Sequence, residues 1–254
     1  MNLWPARVCS IVFVGMALNS QADVVPKGFV VPECTLSPDG RYGLTVPLLD
    51  QGERLGDPKN SVIELTSGRV IAVITSKFTG WNRQNHGGVL PCQWSKDGSL
   101  LLWEVYGKWF SQSLVLLKFN NGVLEWQTDI LAAAQSEMLA RAKRAAPKQY
   151  AVARAANAGN GSAYPEGFTI AVAALGPVSL PLRIQAALTS DPKQIESFPR
   201  LGSQLTGLVD DHGKFEVTAF ALRDDAYERF DEGAKDRDVC PRDEAAEEKS
   251  RTKE

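Results

Sequence analysis

Between residues 24 and 127 the chain is written in the period of β-strands, with short apolar blocks or strict alternation bounded by Gly, Pro, Asn, Asp and Ser. Tyr42, Leu44 and Val46 point one way and Gly43, Thr45 and Pro47 the other, the pattern of a strand with one buried face. In a later strand Leu100 and Leu102 lie on one face while Leu101, Trp103 and Val105 fill the opposite one, the mark of a strand covered on both sides. The second unit is therefore expected to be sandwiched and the first to be more exposed. At Asp129 the period changes to that of a helix. Ile130, Leu131, Ala134, Met138 and Ala142 form one apolar stripe, Asp129 is placed to cap it, and Lys143 and Arg144 sit in the last turns, where the helix dipole favours cations. Pro147 stops this helix and opens a second over 150–157, which Gly159 ends. Alternation then returns, predicting strands over 168–174, 183–188 and 205–222, with Pro177, Pro181, Pro192 and Pro199 confined to connections. From Arg223 onward the chain is almost all charge, and residues 223–254 read as a disordered tail with helical character near Tyr227.

A repeat lies inside the first β region. Cys34-Thr35-Leu36-Ser37-Pro38-Asp39-Gly40 returns as Cys92-Gln93-Trp94-Ser95-Lys96-Asp97-Gly98, each followed by a run of strand formers. Ser at the first position, Pro at the second and Gly at the last suit a type I turn that re-enters the next strand through a left-handed glycine. Each copy continues into a further strand pair, over 61–65 and 69–74 around Thr66-Ser67-Gly68, and over 113–119 and 123–126 around Asn120-Asn121-Gly122. Four strands per unit with a turn at each step describe one propeller blade. The Ser-Pro-Asp-Gly-Arg-Tyr hairpin followed by Thr-Ser-Gly resembles the WD-type blades of TolB-like β-propellers, over residues about 28–127. The resemblance implies a binding platform, an enzyme domain or a scaffold, and it brings no catalytic residue with it. Two copies are fewer than the roughly four blades that a closed propeller needs, so the sequence leaves ring closure open. Further on, Gly207-Leu208-Val209-Asp210-Asp211-His212-Gly213-Lys214-Phe215 is similar to carboxypeptidase regulatory-like β-sandwich modules, which implies adhesion or support; it also fits a third blade turn with His-Gly in place of Asp-Gly. The expected fold is mainly β with a helical insertion: two propeller-like four-stranded units (23–127), a helix pair (128–158) and a further β unit (159–222).

Composition bounds the class without naming a chemistry. In 254 residues, 44% hydrophobic and 23% charged with a formal net charge of −2, there is material for a large core and no basic excess that would predict nucleic acid as a partner. Residues 1–22 read as an export signal: Arg7, an apolar run over 8–18 and Ser20-Gln21-Ala22, with small residues at both cleavage-determining positions. The run is well short of the roughly 20 residues of a spanning helix. A mature chain starting at Asp23, periplasmic or secreted and with no membrane span, is expected. Cys9 leaves with the signal and Cys240 falls in the tail. Cys34 and Cys92 hold matched places in the two repeats, which in blades face each other, so they are the disulfide candidates; two small buried thiols are the other reading.

Candidate chemistry concentrates in one connection. Trp81-Asn82-Arg83-Gln84-Asn85-His86-Gly87-Gly88 is the most polar and glycine-rich link in the chain, and Trp109 lies in or beside a loop of the second unit. Trp81 and Trp109 offer stacking faces, and Asn82, Gln84, Asn85 and His86 offer hydrogen bonds, the mixture that recognises a glycan or an envelope protein. Trp94, Trp103 and Trp126 sit in strand patterns and are assigned to packing. His86-Gly87-Gly88 also resembles the oxyanion-hole loop of lipase-like hydrolases, but the partner motif Gly-x-Ser-x-Gly is lacking, and no catalytic residue is assigned. Asp210, Asp211 and His212 are what a β-turn demands, so neither a metal nor a cofactor is predicted. Arg141, Lys143, Arg144, Lys148 and Arg154 are read as a solvated face. The function expected is that of an exported, non-catalytic binding or scaffold protein of the bacterial envelope; the alternative is a secreted, hydrolase-like enzyme whose carboxylates lie on separate strands.

Overall fold

The computed structural model describes residues 24–48, 56, 58–77, 79–80, 88–89, 91–107, 111–159, 164–190 and 200–231. The chain is mainly β, with three antiparallel sheets. The first contains β1 (Phe29–Val30), β2 (Tyr42–Pro47), β3 (Ser61–Glu64) and β4 (Val70–Val73) in that order. The second contains β5 (Gly88–Val89), β7 (Leu100–Tyr106), β8 (Ser111–Asn120) and β9 (Val123–Asp129), with the short β6 (Gln93–Trp94) also paired to β7. Helices α1 (Ile130–Ala145) and α2 (Pro147–Ala156) follow, then a third sheet of β10 (Thr169–Leu175), β11 (Leu182–Thr189), β12 (Gly202–Val209) and β13 (Phe215–Leu222) in sequence order, and the short helix α3 (Ala226–Asp231). Among the described residues no strand pairing closes a sheet or joins one sheet to another.

The second sheet is the middle layer. Leu101, Trp103, Val105, Val115, Leu117 and Phe119 face the first sheet, where Leu44, Val46, Val62, Ala72 and Ile74 meet them. Leu100, Leu102, Leu114 and Leu116 face the other way, onto α1, α2 and one face of the third sheet. The two-faced apolar run thus reports its own burial. The alternating strand does not: β2 is buried along its whole length. Its second face is covered by the entry segment and the β3–β4 turn, because a Cβ at Gly43 would overlap Val31 and press on Leu36 and Leu65. Exposure in the first sheet falls instead on the edge strand β4, at Val70 and Val73.

In the helical pair the stripe behaves as patterned. Ile130, Leu131, Ala134, Met138 and Ala142 are the buried residues of α1, and the Asp129 carboxylate caps it by accepting from the Ala132 N–H at 2.9 Å. Pro147 is the first residue of α2. The chain past Leu222 departs from the disordered tail expected of 223–254. Arg223 N–H donates to Gly202 O at 2.9 Å, α3 packs on β11 and β12 through the buried Ala226, and Glu228 pairs with Arg200 at 2.9 Å. One small apolar face suffices to dock a helix on an existing sheet, although it could not fold alone. Residues 232–254 lie outside the described residues.

Both repeat turns have the same wiring. Ser37 Oγ donates to Asp39 Oδ1 (2.7 Å) and accepts from Tyr42 N–H (3.0 Å), while Asp39 Oδ1 also takes Arg41 N–H (3.1 Å). Ser95 Oγ donates to Asp97 Oδ1 (2.6 Å) and accepts from Leu100 N–H (2.8 Å), and Asp97 Oδ1 takes Ser99 N–H (3.1 Å). Gly40 and Gly98 supply the left-handed exit at φ of 67° and 70°. The third hairpin is a shorter relative. Asp210 N–H bonds to Lys214 O, four residues on, whereas Ser37 reaches Tyr42 and Ser95 reaches Leu100, five residues on. The Asp210 carboxylate itself accepts from the His212 and Lys214 N–H groups.

These bonds to the ionised forms hold Asp39 below the usual carboxylate range and Asp97 at about 2, in each case chiefly through the serine hydroxyl. A depressed carboxyl stabilises the fold fully above its unfolded value near about 4 and loses that contribution as pH falls. Asp97→Asn keeps an acceptor for Ser95 but removes the charge, so this variant is expected to lose less stability between about pH 4 and pH 2 than the parent chain in denaturant titrations. A second expectation concerns α3: Ala226→Asp places a charge against β11 and β12 and lowers stability by roughly 1–3 kcal/mol, read as a fall in Tm.

Candidate functional site

The strand directions put two kinds of polar structure at opposite ends of the first two sheets. β2 and β7 both leave their signature turns and run to the same far rim, where the β2–β3, β4–β5 and β7–β8 connections all depart. Beneath this rim lies a layer of buried polar side chains. Asn60 fastens the first two connections to each other: Nδ2 donates to Thr45 O (3.1 Å) and Gly80 O (2.8 Å), and Oδ1 accepts from Gly80 N–H (2.7 Å). Thr79 Oγ1 adds a bond to Pro58 O at 2.7 Å. Across the sheet interface the hydroxyls of Ser76 and Ser113 are hydrogen-bonded to each other, and on the opposite face of the second sheet Ser111 Oγ donates to the buried Glu104 carboxylate. Fully engaged polar groups of this kind hold a unique geometry, since an unmade buried hydrogen bond costs about 1–3 kcal/mol.

The predicted recognition residues Trp81, Asn82, Gln84, Asn85, His86 and Trp109 lie outside the described residues. What is described is where their connections begin and end. Gly80, gripped by Asn60, precedes the first, and β5 follows it with Gly88 opposite Tyr106 and Val89 opposite Val105. Tyr106 and Gly107 in turn precede the second connection. The antiparallel register therefore sets the close of one connection beside the opening of the other. Asn60, Glu104, Ser111 and Ser113 were not singled out in the sequence. The available signal was polarity inside apolar strand runs, as in Leu100-Leu101-Leu102-Trp103-Glu104-Val105.

The three described tryptophans, Trp94, Trp103 and Trp126, are structural. Trp94 stacks between Tyr42 (6.4 Å) and Phe119 (5.9 Å) and donates Nε1–H to Thr35 O at 3.2 Å, which joins the first two sheets. Trp103 is fully buried, with its Nε1–H lacking a partner among the described residues. Trp126 donates to Asp211 O at 3.2 Å, and Thr128 Oγ1 to Gly213 O at 2.6 Å, so the Asp210–Gly213 turn docks on β9. The Asp210 carboxylate and the backbone of Asp211, His212 and Gly213 thus build and seat the hairpin. Among the described residues no group of three or more His, Cys, Asp or Glu is placed to hold a metal.

The cysteine pairing is a correction. Cys92 is a free thiol and Cys34 is disulfide-bonded, so the expected Cys34–Cys92 bridge is not made. The repeats do bring the two positions side by side, but through the backbone: Cys92 N–H donates to Cys34 O at 3.0 Å. The Cys92 side chain packs against the core between the first two sheets, and burial pushes its thiol up to about 12. Such a thiol is a packing group and not a nucleophile. No family model, curated protein or solved structure matches the chain.

Cys92 is half-buried, and its packing against the core disfavours the thiolate. It should react with iodoacetamide more slowly in the folded protein than after denaturation, as peptide mass spectrometry will report; equal labelling rates in both states would contradict this packing.

Proposed function

We propose that the protein is an exported, non-catalytic binding or scaffold protein of the bacterial envelope, which presents the rim opposite its signature turns to an envelope protein or a glycan. The observation that supports this reading is the Gly88–Tyr106 pairing: Gly88, which closes the connection containing Trp81 to His86, lies opposite Tyr106, which precedes the connection containing Trp109, and a layer of engaged polar side chains lies at the same rim. A β base with aromatic and amide-rich connections that leave from and return to one rim suits a recognition surface. The roles of the carboxylates support binding over chemistry. Asp39 and Asp97 are consumed in turns, Asp210 in a hairpin, and Glu166 by Tyr150 (3.0 Å) and Arg154 (3.1 Å). The propeller-like character of the first two units belongs to this proposal too, supported by the matched wiring of their turns and by their face-to-face packing.

The test is a pull-down from envelope extract with the parent chain and with Trp81→Ala and Trp109→Ala. The expected outcome is melting curves within about 1 kcal/mol of the parent together with loss of captured partners, since exposed residues contribute little to stability. A loss of about 3–5 kcal/mol in both variants would make the indoles core residues and overturn the reading.

A further inference from the structure

Charge is distributed unevenly along this chain. Residues 138–165 contain five cations and no Asp or Glu, leaving 23 cations against 30 acids, a net of −7, in the rest. The acid-free stretch is the end of α1, all of α2 and the connection that follows. Of its cations, Arg141 is held by Glu137 (3.0 Å) and Arg154 by Glu166 (3.1 Å). Lys143, Arg144 and Lys148 are exposed and make no ion pair or hydrogen bond among the described residues.

Each of these three side chains lies on the outward face of its own helix, close to the junction of the two. With about 100° per residue, Lys143 and Arg144 fall opposite the buried Ala134, Met138 and Ala142 of α1. By the same geometry Lys148 and Val152, one turn apart, fall opposite the buried Tyr150 and Ala153 of α2. Only Ala146 separates the helices, so the outward faces meet at an elbow where Ala145, Ala151, Val152 and Ala155 are also exposed. Fold stability does not account for the composition. Lys143 and Arg144 are favoured at the end of α1, but Lys148 occupies the first turn of α2, where the helix dipole favours an acid and where no side chain caps the helix.

We propose that this elbow docks on an anionic phospholipid surface. Three exposed cations with no ion pair among the described residues, at a junction of two helices with small apolar side chains and the half-exposed Val152, match a plane of phosphate headgroups. They match a protein partner less well. Protein interfaces are built on aromatic and arginine anchors in fitted pockets, and lysine, which supplies two of these three charges, is depleted there. The elbow and the proposed recognition rim are made of different residues, and the two assignments rest on different observations.

The test is co-sedimentation of the full chain with vesicles of phosphatidylcholine alone or with a fraction of phosphatidylglycerol, at about 0.05 M and about 0.5 M salt. Binding should require phosphatidylglycerol and fall at the higher salt. Each cation near an anionic leaflet is worth about fivefold in partitioning, so K143Q/R144Q/K148Q should bind on the order of 100-fold more weakly. K27Q/K77Q/K96Q, an equal change of charge elsewhere, should bind as the parent does. The apolar run over 8–18 is common to all three chains and cancels in the comparison. Equal binding to both vesicle types, or equal weakening by the two triple variants, would overturn the proposal. So would retention on immobilised polyglutamate without vesicle binding, which would assign the elbow to an acidic protein. Unchanged melting curves for both variants would confirm that folding is not at issue.

Discussion

Burial of the second sheet on both faces is the constraint that organises the molecule. Leu100 to Trp103 and Leu114 to Leu117 are apolar at consecutive positions, so neither face can be left to water; each such side chain contributes roughly 1.5–3 kcal/mol when covered. The first sheet answers one face and the helices with the third sheet answer the other. This requirement explains why α1 lies where it does. It begins directly at the end of β9, capped by Asp129, and lays its stripe over Leu114 and Leu116 before the chain can enter the third sheet.

Polar groups follow a complementary division. At the signature end, short turns expose their carboxylates, and each Asp is stabilised as an anion by a neighbouring hydroxyl and backbone N–H groups in contact with solvent. At the opposite rim the polar groups are mostly neutral and buried, with Asn60, Ser76 and Ser113 satisfying one another and the backbone, and Glu104 met by Ser111. Neutral amides and hydroxyls tie connections together inside the structure without the desolvation cost of charge. That is the property needed in a rim where connections begin and end, and the register of β5 on β7 sets the close of one connection opposite the opening of another.

Hydrogen bonds between sheets, more than shared strands, hold the layers in register. Cys92 and Trp94 bind the backbone of the Cys34 segment, Gln127 bonds Val73 and Thr75 at the edge of the first sheet, and the Asp210–Gly213 turn seats on Trp126 and Thr128. A Cβ at Gly213 would press on Thr128 and Trp126, so this glycine serves both the turn, at φ of 77°, and the close approach of the third sheet. The aromatic residues at these joints divide their roles accordingly: indole N–H groups fix position, and ring faces fill the gap.

What the residues determined alone was local. The two Ser-x-Asp-Gly turns, the capped and striped α1, the break at Pro147 and the two-sided burial of β7 depend on neighbours within a few positions, where side-chain period and turn chemistry act. Long-range partners decided the rest. Tyr42 to Pro47 alternates like a half-exposed strand, yet Val31, Leu36 and Leu65 cover its second face. Cys34 and Cys92 occupy matched places, yet backbone pairing brings them together without a bridge, because side-chain direction depends on packing. Ala226 looks like part of a charged tail until β11 and β12 provide a surface for it. Asn60, Ser76 and Ser113 become a layer only when strands distant in sequence align, and a polar residue alone in an apolar run does not state which distant group will satisfy it.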